Sequence, residues 1–420
     1  MLIKARYILP IDGPPIENGA IVVEGDRVAA VGPANAIGPR ADVDYGDTAI
    51  LPSFVNAHTH LELSSLTGRF RPSPDLTIWL KQLVGELSRN PPTPQSTEDA
   101  VKRGIEESLR CGVSTIGDIT RFPGWTRSVI QKSPIRAASF GEVIAIGKHR
   151  HLFHPRLRAA ISDEFASDRL RIGLSPHAPY TVEPDALAEC SRRAAPRNLP
   201  LCIHLAETRD EESFTRSRTG PFVDYLKSLG VWDDEVPTSG CSPVELAHRT
   251  GLLIRRTLIA HANYVSDSDL ELLARSGVSV AYCPRTHHAF GHEPHRFQDM
   301  LAAGVNVCIG TDSLASNPSL SVLDEIRFLY RHLHSRFRRK PARALPDLFF
   351  RMATLNGAVA LGFDHQVGSI SPGKAADLIV LSLDVSRKPL NLCETLLASD
   401  SDPLAVFQSG VLRHTLDSDS

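Results

Sequence analysis

Two hydrophobic rhythms divide the chain. Residues 1–51 carry short apolar runs, among them Ala20-Ile21-Val22-Val23 and Val28-Ala29-Ala30-Val31, separated by the turn pairs Gly25-Asp26 and Gly32-Pro33. Runs of this length between turn residues predict the strands of a small sheet. From residue 52 to residue 362, helical stripes alternate with β-branched runs, as in βα units built on a parallel sheet. Three joints show the unit plainly: Cys111-Gly112-Val113, Ser276-Gly277-Val278 and Ala303-Gly304-Val305 each follow an amphipathic segment. In each the glycine can take the left-handed cap that ends a helix before a strand begins. Val101, Ile105 and Leu109 recur at helical spacing, and Ser266 with Asp269 has the spacing of a capping box. Residues 89–96, rich in proline, read as a loop.

Candidate strands fall near 53–57, 113–117, 135–142, 170–175, 200–204, 257–261, 278–282 and 305–311. Eight strands alternating with helices predict an α/β fold, a (β/α)8 TIM barrel. After residue 363 strand character returns in Ala376-Asp377-Leu378-Ile379-Val380-Leu381. The expected organisation is a barrel over 52–362, inserted into a small composite β-sandwich domain built from residues 1–51 and 363–420.

Composition narrows the function. The chain has 420 residues, 42% of them hydrophobic and 22% charged, which suits a globular protein with a large core. Its 46 basic and 48 acidic residues are interspersed and leave a formal net charge of -2, so no extended field gathers nucleic acid or anionic lipid. The expected partner is a small-molecule substrate, with no nucleic acid and no membrane, and a homo-oligomer stays open. Seven cysteines without a CxxC pair argue against a disulfide framework and for a reducing, cytoplasmic location. No apolar run approaches the roughly 20 residues of a membrane span, and the N-terminus lacks the apolar stretch of a secretion signal.

Chemistry concentrates at the ends of the expected strands. His58-Thr59-His60 ends the first, and alternate residues of a strand share a face, so both imidazoles can grip one ion. His204 follows Leu201-Cys202-Ile203, His261 follows Leu258-Ile259-Ala260, and Asp312 follows Val307-Cys308-Ile309-Gly310-Thr311. In a barrel those ends converge on one face, and a set of imidazoles with a carboxylate suits zinc, or alternatively iron.

The stretch Leu51-Pro52-Ser53-Phe54-Val55-Asn56-Ala57-His58-Thr59-His60 resembles the first-strand motif of the amidohydrolase superfamily. His204-Leu205-Ala206-Glu207 resembles its HxxE element, Gly310-Thr311-Asp312-Ser313 its eighth-strand aspartate, and Gly368 through Leu381 its C-terminal β motif. The resemblance implies one divalent ion, Zn2+ or Fe2+, held by His58, His60, His204 and Asp312, with His261 contacting its water or the ion itself. Two-metal members carry a lysine at the end of the fourth strand. Here that region reads Leu174-Ser175-Pro176-His177-Ala178-Pro179-Tyr180, which points to the single-metal deaminase branch, with Glu183 as a substitute acid nearby.

A bound divalent ion lowers the pKa of its water from about 15.7 toward neutrality. Asp312 and His261 can orient that water and take its proton, while Glu207 serves as general acid/base toward a ring nitrogen and the departing ammonia. The resulting expectation is hydrolytic deamination of an aromatic base, with an adenine nucleoside foremost. Hydrolysis of a chloro- or alkylamino-triazine, opening of a cyclic amide, and a non-enzymatic scaffold are the alternatives.

His177 resembles a substrate-contacting histidine of methylthioadenosine/adenosylhomocysteine deaminase-like proteins, and Trp79 resembles their tryptophan less closely. Those relatives carry a ribose-binding glutamate nine residues on, where this chain has Ser88, the nearest acid being Glu86. Arg285, in Cys283-Pro284-Arg285-Thr286-His287-His288, follows the seventh expected strand and can clamp a substrate anion, flanked by His287, His288 and His292. A carboxylate there would fit a likeness to aminodeoxyfutalosine deaminase-like proteins.

Overall fold

β1 (Leu2–Ile8), β2 (Ile16–Glu24) and β3 (Arg27–Pro33) are antiparallel neighbours, and Gly25 takes the left-handed region (φ 61°) at the hairpin between the last two. β4 (Val43–Asp44) and β5 (Thr48–Pro52) run parallel to β1. A second sheet takes eight strands in chain order: β6 (Phe54–Thr59), β7 (Val113–Thr120), β8 (Arg136–Val143), β9 (Leu170–Pro176), β10 (Leu201–Leu205), β11 (Thr257–His261), β12 (Ser279–Tyr282) and β13 (Asn306–Ile309). These are the strands of a parallel (β/α)8 barrel, and they match the eight expected from the apolar runs to within a few residues. The last strand closes on the first, where the backbone N–H groups of Thr311 and Asp312 donate to the His58 carbonyl at 3.1 and 3.0 Å. β14 (Leu378–Ser382), β15 (Ala405–Gln408) and β16 (Val411–Thr415) then complete the first sheet in the order β16-β15-β14-β5-β1-β2-β3, with β4 beside β1.

The computed structural model describes residues 1–38, 40–337, 345–383 and 391–415, so 384–390 and 416–420 of the expected C-terminal β segment lie outside the described residues. The terminal segments meet through antiparallel pairing of β14 with β5, Leu378 opposite Pro52. Ile3, Ile21, Val28, Ile50, Leu378, Val380 and Phe407 form a common apolar cluster there. By packing, the chain separates into two compact units: Met1–Ala57, Glu106–Ile116 and Leu320–Ser420 in one, His58–Ile105 and Gly117–Ser319 in the other. Every site residue named below belongs to the second. Among the described residues, no helix is long and apolar enough to cross a membrane.

The cap signals act as their residue types dictate. Gly112, Gly277 and Gly304 have φ of 79°, 64° and 84°, and Ser266 with Asp269 forms a reciprocal capping box. The loop expected over 89–96 is shorter than its prolines suggested. Arg89 closes the helix Leu76–Arg89, and the next helix, Pro94–Arg110, starts at Pro94. Proline fits a first turn because its missing N–H would find no helical partner there. Thr93 and Ser96 bond reciprocally across that start, at 2.9 and 3.1 Å from backbone nitrogen to hydroxyl.

Side-chain direction along β8 can be read from a glycine. A Cβ on Gly141 would lie 2.4 Å from the Ala160 Cα, so this position faces the helix Phe153–Ala160 outside the barrel. Strand alternation then turns Glu142 inward.

Candidate metal centre

The inward face of β6 ends in His58 and His60, and the closure of the barrel delivers Asp312 to them. His58 Nε2 lies 3.5 Å and His60 Nε2 3.6 Å from Asp312 Oδ1. From β10, His204 Nε2 comes within 3.3 Å of His60 Nε2. Four ligands about 2.05 Å from a tetrahedral ion stand about 3.3 Å apart, so these separations are those of a cation's coordination shell. His261 ends β11 in the same cluster, and its donor atom groups with those of His58 and Asp312. Both ring nitrogens of His58 are buried without a hydrogen-bond partner, which is costly unless a cation takes a lone pair. The donor set thus fits one divalent ion.

Backbone geometry supports the convergence. Ala206, His261, Ala262 and Asp312 all have positive φ (51°, 74°, 51° and 61°) although none is glycine. Such conformations cost of order 1–3 kcal/mol each and persist where surrounding bonds hold them. Here Ala262 N–H donates to the Leu205 carbonyl (3.1 Å), Tyr264 N–H to that of Ala206 (2.9 Å), and Asn263 Nδ2 to that of Glu207 (3.0 Å). Gly310 makes the close approach at the seam, since a Cβ there would sit 2.8 Å from that of His58.

Groups behind the ligands fix their orientation. The His204 Nδ1 lies 3.1 Å from the His177 carbonyl, so it carries the proton and leaves Nε2 free to ligate. Ser316 Oγ donates to Asp312 Oδ2 at 2.6 Å, leaving Oδ1 toward the histidines. Ser316→Ala is expected to weaken metal binding about ten- to a hundredfold, the usual effect of losing such a partner. Titration of the metal-free protein with zinc against a competing chelator reads this directly, and an unchanged affinity would remove Ser316 from the site.

Electrostatics prepares each group for its part. Burial, then repulsion among the rings, holds His60 down at about 3 and His204 and His261 well below the usual imidazole range, so all three are neutral imidazoles. Burial pushes the Asp312 carboxyl up, but its contact with His58 and the favourable fields of the His60, His58 and His261 rings outweigh it and hold the carboxyl below its ordinary range. Glu207 goes the opposite way. Burial, then the charges of Asp312 and Glu211, raise its carboxyl well above the ordinary range, and its Oε1 lies 3.6 Å from His261 Nε2.

His177 lies on the same wall, its ring centroid 4.8 Å from that of His204 and its Nδ1 2.7 Å from Thr181 Oγ1. Arg285 opens the helix Pro284–Ala289 immediately beyond β12, and its Nη2 donates to the carbonyl and hydroxyl of Ser319 at 3.0 and 2.9 Å. Burial holds its neighbours His287 and His292 down at about 3 and 4, so they are neutral groups. Trp79 packs edge-on against Phe290 in an apolar layer with Leu63, Leu66, Tyr180 and Ala315, all from segments that follow barrel strands. Glu86 is bound to Arg69, Arg89 and Asn90, and Glu183 to Gly147 N–H and Arg150, away from the ligand cluster.

Four acids and bases here escaped the reading of the sequence. Glu211 accepts from the backbone N–H groups of Ala206 and Glu207 at 2.9 and 3.0 Å and so holds the Glu207 segment. Glu62 accepts from Thr120 Oγ1 (2.8 Å) and from Arg121 N–H, tying the segment after β6 to that after β7. Arg121 and Glu142 face His177 from the ends of β7 and β8. For Glu62, Arg121 and Glu142 the only sequence signal was position, at or just past the C-terminal end of a barrel strand, whereas Glu211 lies in the first turn of the helix Arg209–Ser217.

Comparison with known proteins agrees with this geometry. The profile of the amidohydrolase family matches residues 49–412. A 5-methylthioadenosine/S-adenosylhomocysteine deaminase of Moorella thermoacetica is 32% identical over 395 residues, covering 91% of this chain and 86% of that protein. An adenosine deaminase from Xanthomonas campestris, solved with bound zinc, superposes with a TM-score of 0.82 at 25% identity, over 99% of this chain and 92% of its own. The Helicobacter pylori aminofutalosine deaminase, in complex with methylthio-coformycin, shares the fold at a TM-score of 0.82 and 21% identity, covering 98% of this chain and 100% of its own. With its ligand cluster at the strand ends of a closed (β/α)8 barrel, the chain belongs to the amidohydrolase family.

Proposed function

We propose that this protein is a zinc-dependent deaminase that hydrolyses the exocyclic amino group of an adenine nucleoside and releases ammonia. The observation that carries the reading is Glu207: a buried carboxyl that its surroundings hold well above the ordinary carboxylate range, three residues beyond His204 and 3.6 Å from His261. Zinc is the ion carried by the Xanthomonas neighbour, and adenine nucleosides are what the names of the relatives describe.

A divalent ion at His58, His60, His204 and Asp312 would acidify water toward neutral pH. The chain's own groups do the rest. Ionised Asp312 and neutral His261 orient the attacking water and accept its proton. Protonated Glu207 delivers its proton to the ring nitrogen beside the carbon under attack, takes up the water's second proton as the new C–O bond becomes a carbonyl, and passes it to the amino group, which leaves as ammonia; the first proton, held by Asp312 and His261, then returns to Glu207. His177 and the apolar layer around Trp79 position the ring.

An ammonia-release screen of zinc-replete protein over adenine nucleosides, cytosine, guanine and triazines tests this. Ammonia from adenine nucleosides is the expected outcome; release only from other rings, or chloride from a triazine, overturns it.

Arg285 belongs to the same reading as a site for an acidic group on the substrate's 5′ side, supported by its place directly after β12 and by the Ser319 contacts that fix its orientation. A nucleoside with an acidic 5′-substituent should have the higher kcat/KM than adenosine, by about ten- to a hundredfold for a charge-assisted pair. Arg285→Ala should erase most of that preference. An equal loss on charged and neutral nucleosides would give Arg285 a structural role instead.

A further inference from the structure

We infer that Glu142, at the end of β8, forms with His177 a second polar subsite at the barrel mouth, and that this subsite receives the vicinal hydroxyls of the substrate's sugar. The inference rests on the nucleoside reading above. Glu142 faces the barrel interior, opposite in direction to Gly141, and its side chain is only 5% exposed. Among the described residues it accepts no hydrogen bond. His177 Nε2 stands 3.9 Å from its Oε1, too far for a bond but close enough that one ligand hydroxyl can touch both.

Leaving a carboxyl buried and unsatisfied costs about 1–3 kcal/mol, more when it is charged. The neighbouring acids do not bear that cost in the same way. Glu62 is satisfied by Thr120 and Arg121 and Glu211 by two backbone N–H groups, while Asp118, with Oδ1 on the Leu61 N–H and Oδ2 without a partner among the described residues, is fully enclosed at 0% exposure. The acid on the helix Leu76–Arg89, Glu86, is committed to Arg69, Arg89 and Asn90. Glu142, which keeps a little exposure, is therefore an inward acid open to a ligand.

Its chemistry suits a diol. Burial pushes its carboxyl up to about 7, against the opposing charges of Arg121, Arg156 and His58, so a carboxylate is available at neutral to mildly alkaline pH. A carboxylate accepts hydrogen bonds at both oxygens and donates none, which matches two adjacent O–H donors. Glu207 already serves the ring nitrogen from β10. With the base held by Glu207 and His177, Glu142, 3.9 Å from His177 Nε2, is left for the sugar.

The test compares adenosine with 2′,3′-dideoxyadenosine as substrates of zinc-replete wild type, Glu142→Ala and Glu142→Gln. Wild type should favour adenosine by about ten- to a hundredfold, the scale of hydrogen bonds to a charged group. Glu142→Ala should lose that factor on adenosine, mainly through KM, while losing far less on the dideoxy nucleoside. Glu142→Gln should keep part of the preference through its one carbonyl oxygen. Zinc content, measured in parallel, should stay at the wild-type level. Equal losses on the two nucleosides would assign Glu142 to holding His177 and overturn the subsite, as would a wild type indifferent to the diol. A wild type that releases ammonia from neither nucleoside instead overturns the nucleoside reading itself.

Discussion

Replacing His58 with alanine is expected to empty the metal centre and abolish turnover together. The His58 ring stands amid the other imidazoles, with centroids of His60, His204 and His261 at 5.0, 5.0 and 5.3 Å, and its two nitrogens have no hydrogen-bond partner among the described residues. An ion of this kind needs about four ligands. Losing one should weaken binding by at least the roughly hundredfold that the loss of a mere supporting group can cause. Asp312→Ala should behave alike. It also releases Ser316 Oγ, while the backbone carbonyl of residue 312 keeps its bonds from Thr59 Oγ1 and Thr311 Oγ1 at 3.0 Å each, so the strand end stays in place. Elemental analysis of purified variants, set beside kcat, reads both effects. Full metal occupancy in either variant would sink the ligand assignment, and full occupancy with lost activity would move the residue from binding the ion to the chemistry.

How much of this was legible in the sequence depended on whether a residue's meaning was local. The barrel strands could be read because fully buried parallel strands are written as short apolar runs, and the ligands because histidine or aspartate directly ends such a run. Ser316 and Glu211 could not be found this way: each acts through a bond to a group four residues away, Asp312 or Glu207, and serine or glutamate at that spacing is commonplace. Glu142 stood in plain view as the last residue expected for the third strand. Only the packing of Gly141 against Ala160 reveals that it faces inward. The histidines after β12 flank Arg285 at the expected anion clamp, yet burial keeps His287 and His292 neutral, a property of their surroundings and not of their spacing. The prolines of 89–96 misled for a related reason: proline breaks a helix from within but fits its first turn, and only the Thr93–Ser96 bonds show which applies to Pro94.

Glu207→Gln is expected to keep its metal and lose about 10²–10⁴-fold in kcat, the contribution typical of a positioned general acid/base. The variant is close to a pure removal of the transferable proton. Glutamine has the shape of the carboxyl, and the backbone at 207 is fixed independently by Glu211 and by Asn263 Nδ2, so the side chain should stay where it is. In the native protein burial, then the charges of Asp312 and Glu211, hold the Glu207 carboxyl well above the ordinary range, which favours its protonated form. On the proposed reading it brings to the substrate the proton that a ring nitrogen must receive before the adjacent carbon yields to water. An amide can donate a hydrogen bond to that nitrogen but cannot surrender the proton. KM should thus change little while kcat collapses, the signature of an interaction made in the transition state. Steady-state kinetics on the nucleoside that releases ammonia, with zinc measured on the same sample, separates the outcomes. Lost zinc would make Glu207 a structural support of His261, and an unchanged kcat would take it out of the reaction.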